Sequence, residues 1–153
     1  MQLGELQSLQ DLDLTTVNTD YPVLQPGIYP WMIKSAEIKD TNDKKGKLLV
    51  IGLELMVDAV DKNGAAVTAG FKHTHRIGLT PTDKRTGEMI GRDVALLLDA
   101  VFGEEGRKSI KLAAFNIETL VNQQITTKTA VQPEKDGYAE STSVRFVKKE
   151  VST

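Results

Sequence analysis

Apolar and polar residues alternate along the first half of the chain, which is the pattern of β-strands. Residues 27–39 are rich in β-branched and aromatic types and predict a first strand, and residues 47–60 predict a second. Residues 40–46 between them are polar and favour a turn. Gly52 interrupts the second strand, and a mid-strand glycine is a place where a sheet bends sharply. We therefore expect a small, strongly coiled antiparallel barrel.

A third strand is expected after Asn63-Gly64, which is a strong short-range hairpin signal. It should start near residues 68–71, and its side chains alternate between two faces from Phe71 to Leu79. One face carries Phe71, His73, His75, Ile77 and Leu79. The opposite face carries Lys72, Thr74 and Arg76.

The spacing of apolar residues then changes to the helical period and predicts a helix over residues 88–102, with Gly103 as its C-terminal stop. Residues 104–111 are charged and predicted to be a loop. Residues 115–120 predict a second, short helix that starts near Asn116. A closing hairpin is expected from strands at residues 124–131 and 138–147, joined by a polar turn.

Length and composition indicate one globular domain: 153 residues, 40% of them hydrophobic and 26% charged. We divide the chain into an acidic, leucine-bearing arm at residues 1–26, a barrel domain at residues 27–148 and a short tail at residues 149–153. The sequence contains neither an apolar run of the roughly 18–20 residues that cross a membrane nor a signal-peptide pattern, so we expect a cytoplasmic protein. It also contains no cysteine, which excludes disulfides, thiol nucleophiles and cysteine zinc sites.

The formal net charge of −2 argues against nucleic-acid binding through bulk basicity. The distribution of charge changes that picture. The arm carries Glu5, Asp11, Asp13 and Asp20 and no basic residue, which leaves 19 basic against 17 acidic residues in the remainder. A site for a polyanion must therefore be a local stripe of basic residues.

The candidate stripe begins at Lys72 and Arg76, which project from one face of the third strand about 13 Å apart, comparable with two nucleotide steps of an extended single strand. Other basic residues on the predicted hairpins extend it: Lys34, Lys39, Lys44, Lys45, Lys47, Lys128 and Arg145. Base stacking on an exposed aromatic contributes roughly 1–3 kcal/mol, and the candidates for stacking are Trp31, Tyr29 and Tyr138. The alternative for each basic residue is an ordinary solvated surface, and the alternative for each aromatic is the core.

A metal site is a weaker hypothesis. His73 and His75 would point in one direction from a strand, as two imidazole ligands of one metal do. Further ligands would have to be carboxylates such as those of Asp58, Asp61 or Asp83, so packed histidines are favoured, and we predict no metal and no other cofactor. The Gly87 and Gly91 region lacks the lysine and hydroxyl residue of a phosphate-binding loop. No catalytic residue set is recognisable, so a non-enzymatic protein is expected.

Three strands, a helix and two strands are the order of a five-stranded OB-like Greek-key barrel, with its helix between the third and fourth strands. The sequence also resembles a family of small phage proteins with an OB-like single-stranded-DNA-binding fold. The matching segments are Leu24-Gln25-Pro26-Gly27-Ile28-Tyr29, Ala36-Glu37-Ile38-Lys39, Gly46-Lys47-Leu48-Leu49, Ile90-Gly91-Arg92, Leu97-Leu98-Asp99-Ala100-Val101-Phe102-Gly103, Leu120-Val121-Asn122-Gln123-Gln124-Ile125 and Asp136-Gly137-Tyr138. The resemblance implies a non-enzymatic protein that binds single-stranded DNA in replication or recombination.

Two other interpretations stay open. The acidic arm suits the binding of a phage or host replication or recombination protein, so the same barrel is also compatible with a structural or protein-interaction module, such as a virion component or an inhibitor. Pairing of open sheet edges would make a homodimer. The hypothesis of an enzyme or metal-dependent nuclease rests on His73 and His75 alone.

Overall fold

The fold is described here for residues 22–133 and 141–149 of a computed structural model. The strands of its main sheet are β1 (Gly27–Asp40), β2 (Lys47–Leu55), β5 (Lys72–Gly78), β6 (Gln124–Gln132) and β7 (Ser141–Val147). They pair antiparallel throughout, in the order β5-β2-β1-β6-β7. A separate two-stranded ribbon consists of β3 (Ala59–Val60) and β4 (Ala66–Val67). The prediction of a mainly β domain is confirmed.

The first hairpin forms as predicted, and its buried face follows the alternation in β2. Every second residue of β2 is buried: Leu49, Ile51, Leu53 and Leu55. The register of β1 against β2 shifts between Ile33 and Ser35, which makes Lys34 the extra residue of a β-bulge. Gly52 lies opposite this bulge, where a Cβ would collide with the side chain of Ser35. The glycine therefore accommodates the bend of the sheet.

The predicted second strand is too long, because the chain leaves the main sheet after Leu55. Two aspartates satisfy the backbone of the segment that follows: Asp58 accepts a hydrogen bond from the Ala69 N–H at 2.8 Å, and Asp61 accepts one from the Asn63 N–H at 2.8 Å. Gly64 has a φ of +87°, which suits the predicted Asn-Gly turn. This turn joins β3 to β4.

The helix α1 (Gly87–Lys108) begins where the Thr86 hydroxyl accepts a hydrogen bond from the Met89 N–H at 3.2 Å. Gly103, with a φ of +79°, breaks the helical geometry without ending the helix. The prediction of a loop directly after it is therefore wrong as far as Lys108. Short 3₁₀ helices follow at Leu112–Ala114 and Ile117–Leu120, and the second is capped by Asn116 as predicted.

The predicted closed barrel is not found. In the described part of the chain no ladder joins β5 to β7, so these two strands are the edges of the sheet. The helix α1 packs against β5, β6 and β7, and the rings of His75 and Phe146 meet across the gap with centroids 4.8 Å apart. Side chains therefore bridge the two edges where backbone hydrogen bonds would close a barrel.

The predicted arm and tail fall mostly outside the described residues, as does Tyr138. The last residues of the arm that are described belong to the domain, because Val23 and Leu24 are buried and the Leu24 N–H donates to the Thr142 hydroxyl at 3.1 Å. Residues 22–133 and 141–149 include no helix that is long and apolar enough to cross a membrane.

Candidate functional site

The open seam between β5 and β7 contains a groove of about 790 Å³, which the first half of α1 flanks. We call it the arginine groove, because four arginines are among its lining residues. Its charged lining residues are Arg76, Arg85, Arg92, Arg145 and Asp93. Four guanidinium groups thus face one carboxylate among the described residues around this cavity.

Three elements bring these side chains together. Arg76 lies on β5 and Arg145 on β7, each beside an inward-pointing ring, His75 and Phe146 respectively. The helix contributes Met89, Arg92, Asp93 and Leu96, which share one face because they are spaced three and four residues apart. The opposite face of the helix carries the apolar residues that enter the core. The groove is therefore where this face of α1, with its two apolar and two charged residues, meets the two sheet edges.

The four arginines are not equivalent. Arg85 is held in place, since its Nη2 lies 2.8 Å from Asp93 Oδ2 and its Nε donates to the Gly78 carbonyl at 3.2 Å. Arg76, Arg92 and Arg145 are exposed, and within the described ranges none of them forms an ion pair. Three cationic side chains are therefore available to an anionic ligand, next to one that is already oriented.

The two histidines are neutral packing residues in this structure. Burial is the main cause that lowers the pKa of His73 to about 4, and unfavourable electrostatic interactions with His75 and Arg76 contribute to the shift. Burial also lowers the pKa of His75, although Asp93 opposes the shift. The His73 ring lies 6.0 Å from that of Trp31. Among the described residues no three metal-ligating side chains cluster, so the pair has no third ligand there.

Trp31 was a stacking candidate, and the structure corrects this prediction. Its side chain has no exposed surface, and its Nε1–H donates to the buried Thr127 hydroxyl at 2.7 Å. A base cannot reach the face of a ring in this position. Tyr29 is half-buried against the core, with its hydroxyl donating to the Gln25 carbonyl at 2.6 Å. Neither aromatic lines the groove.

The predicted basic stripe is divided among several places. Arg76 enters the groove, whereas Lys72, on the same face of β5, is absent from its lining and lies opposite Glu54. Lys34 is the exposed residue of the bulge in β1. Lys47 forms an ion pair with Asp40 at the base of the first hairpin. A single continuous stripe that extends from Lys72 and Arg76 is therefore not observed.

The last two predicted residues are neighbours. Lys128 on β6 lies directly opposite Arg145 on β7, and both side chains are exposed. Because Arg145 also lines the groove, this pair connects the groove to the outer face of the sheet.

Sequence reasoning missed Arg85 and Arg92 as site residues. The helical spacing of Met89, Arg92 and Leu96 was visible as a face separate from the apolar one. What the pattern did not show is which sheet edges that face would approach.

Comparison with known proteins adds no assignment. No protein-family model matches the chain, and no curated protein matches it significantly.

Proposed function

We propose that this protein is a non-enzymatic, phage-type single-stranded-DNA-binding protein that supports replication or recombination in the cytoplasm of the host cell. The observation that carries the proposal is the arginine groove, where four guanidinium groups gather in a chain of formal net charge −2. Arginines recognise phosphates well because their planar fork of N–H donors matches phosphate oxygens. The local surface can therefore attract a polyanion although the whole chain is slightly acidic.

Apolar side chains in the same groove favour a single strand over a duplex. Met89 is 47% exposed and Leu96 is 39% exposed, and Phe146 lies on the opposite wall. Single-strand binders combine a basic track for the backbone with apolar or aromatic surfaces for the bases, which a duplex keeps stacked and paired. Slight sequence preference is expected, because these contacts do not read base edges.

The order of the strands supports an OB-like architecture. Counted along the main sheet, it reads third, second, first, fourth and fifth strand, and α1 lies between the third and fourth. An OB fold is a partly open barrel, so an unpaired seam is compatible with it. In this proposal the seam itself is the binding site.

The test is a titration of a labelled oligothymidine of about 30 nucleotides, followed by fluorescence anisotropy at several salt concentrations. The wild-type protein should bind more weakly as salt rises. The R76A/R92A variant removes from the groove two guanidinium groups that form no ion pair with a described residue. Loss of two phosphate contacts should weaken binding about 25-fold at 0.1 M salt and reduce the salt slope by about 1.4.

A matched control is the K111A/K149A variant, which removes two exposed positive charges that do not line the groove and form no ion pair with a described residue. It should change affinity little, so a general effect of net charge is separated from a local one. A duplex competitor should not displace the oligothymidine. No binding at micromolar protein, a flat salt response, or equal losses in both double variants would contradict the proposal.

A protein-interaction module remains the second candidate. The observation that favours it is a cavity of about 370 Å³ beside α1, lined by apolar residues together with Arg107 and Lys108; one of the apolar lining residues, Leu112, is 63% exposed. Deletion of residues 1–20 separates the two candidates. DNA binding that survives the deletion supports the first, and loss of assembly with a replication or recombination protein, without DNA binding in either form, supports the second.

A further inference from the structure

Two surfaces adjoin the arginine groove, and each carries lysines. On one side a cavity of about 530 Å³ lies against the β1–β2 loop and shares Gly78 and Arg85 with the groove. On the other side, Arg145 connects the groove to the outer face of β6 and β7. A strand longer than the groove would have to cross one of these surfaces.

Carboxylates occupy the surface at the β1–β2 loop. Lys47 forms an ion pair with Asp40, and Asp43 lines the cavity beside Lys45. A hydrogen bond from the Thr41 hydroxyl is the main cause that lowers the pKa of Asp43, so this carboxyl is ionised at neutral pH. Phosphates entering here would meet Lys47, which is already paired with Asp40, and the negative charge of Asp43 beside Lys45.

The outer face of β6 and β7 has the opposite character. Lys128 and Arg145 lie directly opposite each other, and within residues 22–133 and 141–149 no carboxylate pairs with either. Their neighbours on the same face of these two strands are uncharged: Thr126, Ala130, Ser143 and Val147. Like charges directly opposite in an antiparallel pair destabilise it. A phosphate placed between the two cations would remove that repulsion.

An exposed apolar residue completes the row. Ile28 on β1 lies opposite Lys128 and is 68% exposed. Ile28, Lys128 and Arg145 therefore form a line across three neighbouring strands, which we call the sheet-face row. Its chemistry, two cations beside one apolar side chain, matches a nucleotide, whose phosphate is anionic and whose base and sugar have apolar surfaces.

We propose that the sheet-face row is a second binding surface for the same single-stranded nucleic acid. The backbone leaves the arginine groove at Arg145, one phosphate lies between Lys128 and Arg145, and the adjoining nucleotide packs on Ile28. This proposal rests on the proposed function of the groove. According to the proposal, the bound strand runs from the arginine groove away from the β1–β2 loop and across the outer face of the sheet.

The test compares K128A with K45A, because each removes one exposed lysine from one of the two surfaces. With the oligothymidine of about 30 nucleotides, K128A should bind about five-fold more weakly at 0.1 M salt and lose about 0.7 from the salt slope, as expected for one phosphate contact. K45A should leave both quantities unchanged. Both side chains are exposed, so thermal unfolding should show that both variants are folded.

A third variant, I28S, tests the apolar part of the row. It should weaken binding without changing the salt slope, because no phosphate contact is lost. Unchanged affinity in K128A, or a larger loss in K45A, overturns the sheet-face row while the groove stands, provided that R76A/R92A still loses binding. If R76A/R92A binds like the wild type, the proposed function itself fails.

Discussion

The central strand β1 and the open seam between β5 and β7 differ in how their hydrogen-bonding and charged groups are paired. β1 is hydrogen-bonded on both sides, by β2 and β6, and the side chains of Trp31 and Ile33 have no exposed surface. The seam between β5 and β7 has no ladder in the described residues and is bridged by rings and α1. The centre thus contributes stability, whereas the seam presents to solvent Arg76, Arg92 and Arg145, which form no ion pair with a described residue. Substitutions should separate these two roles.

The largest expected effect is at the centre, in the W31A variant. Loss of a fully buried indole should lower the free energy of unfolding by about 3–5 kcal/mol, because it leaves a cavity and removes apolar burial. Urea denaturation measures this loss. W31F keeps most of the burial and should remain folded, so it can be tested for DNA binding. Loss of binding by folded W31F would contradict a purely structural Trp31.

A smaller effect is expected from T127V, which leaves the Trp31 Nε1–H without its acceptor. A buried, unpaired donor should reduce the free energy of unfolding by about 1–3 kcal/mol. The control is T126V on the same strand, whose side chain is half-buried and faces the other side of the sheet. T126V should change the free energy by less than about 0.5 kcal/mol. Equal effects of the two variants would contradict the importance of this hydrogen bond.

Acid should weaken the protein through His73, which contacts the centre at Trp31. The pKa of His73 is about 4 in the folded protein, below the ordinary histidine value of 6.5. Between these values the unfolded chain binds a proton that the folded protein does not, so stability falls as pH decreases from 6.5 to 4. Thermal unfolding at pH 7 and pH 4.5 measures the fall, which should be smaller in H73Q. An equal fall in H73Q would exclude His73 as its cause.

The smallest effect on stability is expected at the seam. R92A removes an exposed side chain that forms no ion pair with a described residue, so the free energy of unfolding should change by less than about 0.5 kcal/mol. Its DNA binding should nevertheless weaken about five-fold at 0.1 M salt, as for one phosphate contact. Paired urea and anisotropy measurements on this variant test both statements. A large loss of stability would remove the distinction between centre and seam.

Much of the fold could be predicted because strands, turns and helices follow from patterns among residues that are close in the sequence. The alternation in β2 identified its buried residues, and Asn63-Gly64 identified the turn between β3 and β4. The helix was recognised from its apolar period, although Gly103 was expected to end it and only breaks its geometry. The helix continues beyond Gly103, and an ion pair between Asp99 and Arg107, at 2.6 Å, connects the part before the glycine to the part after it.

The candidate site was predicted only in part. Arg76 and Arg145 were selected as basic residues on strands, and the structure brings these two into one groove. Trp31 was selected because aromatics can stack, but a strand pattern alone does not tell which aromatic lies on the inner face of the middle strand. Arg85 and Arg92 were missed because their position matters only once α1 packs against the two edges.

The sequence by itself determined the strands, the helix and the turns, because alternation, helical spacing and turn residues act over a few neighbouring positions. It also determined that a basic site had to be local, since the arm concentrates acidic residues and leaves a small excess of basic ones elsewhere. Only the tertiary structure decided that no ladder of the described residues joins β5 to β7 and that the arginines of these strands meet Arg85 and Arg92. Such contacts join residues far apart in the chain, and their formation depends on packing of the whole domain.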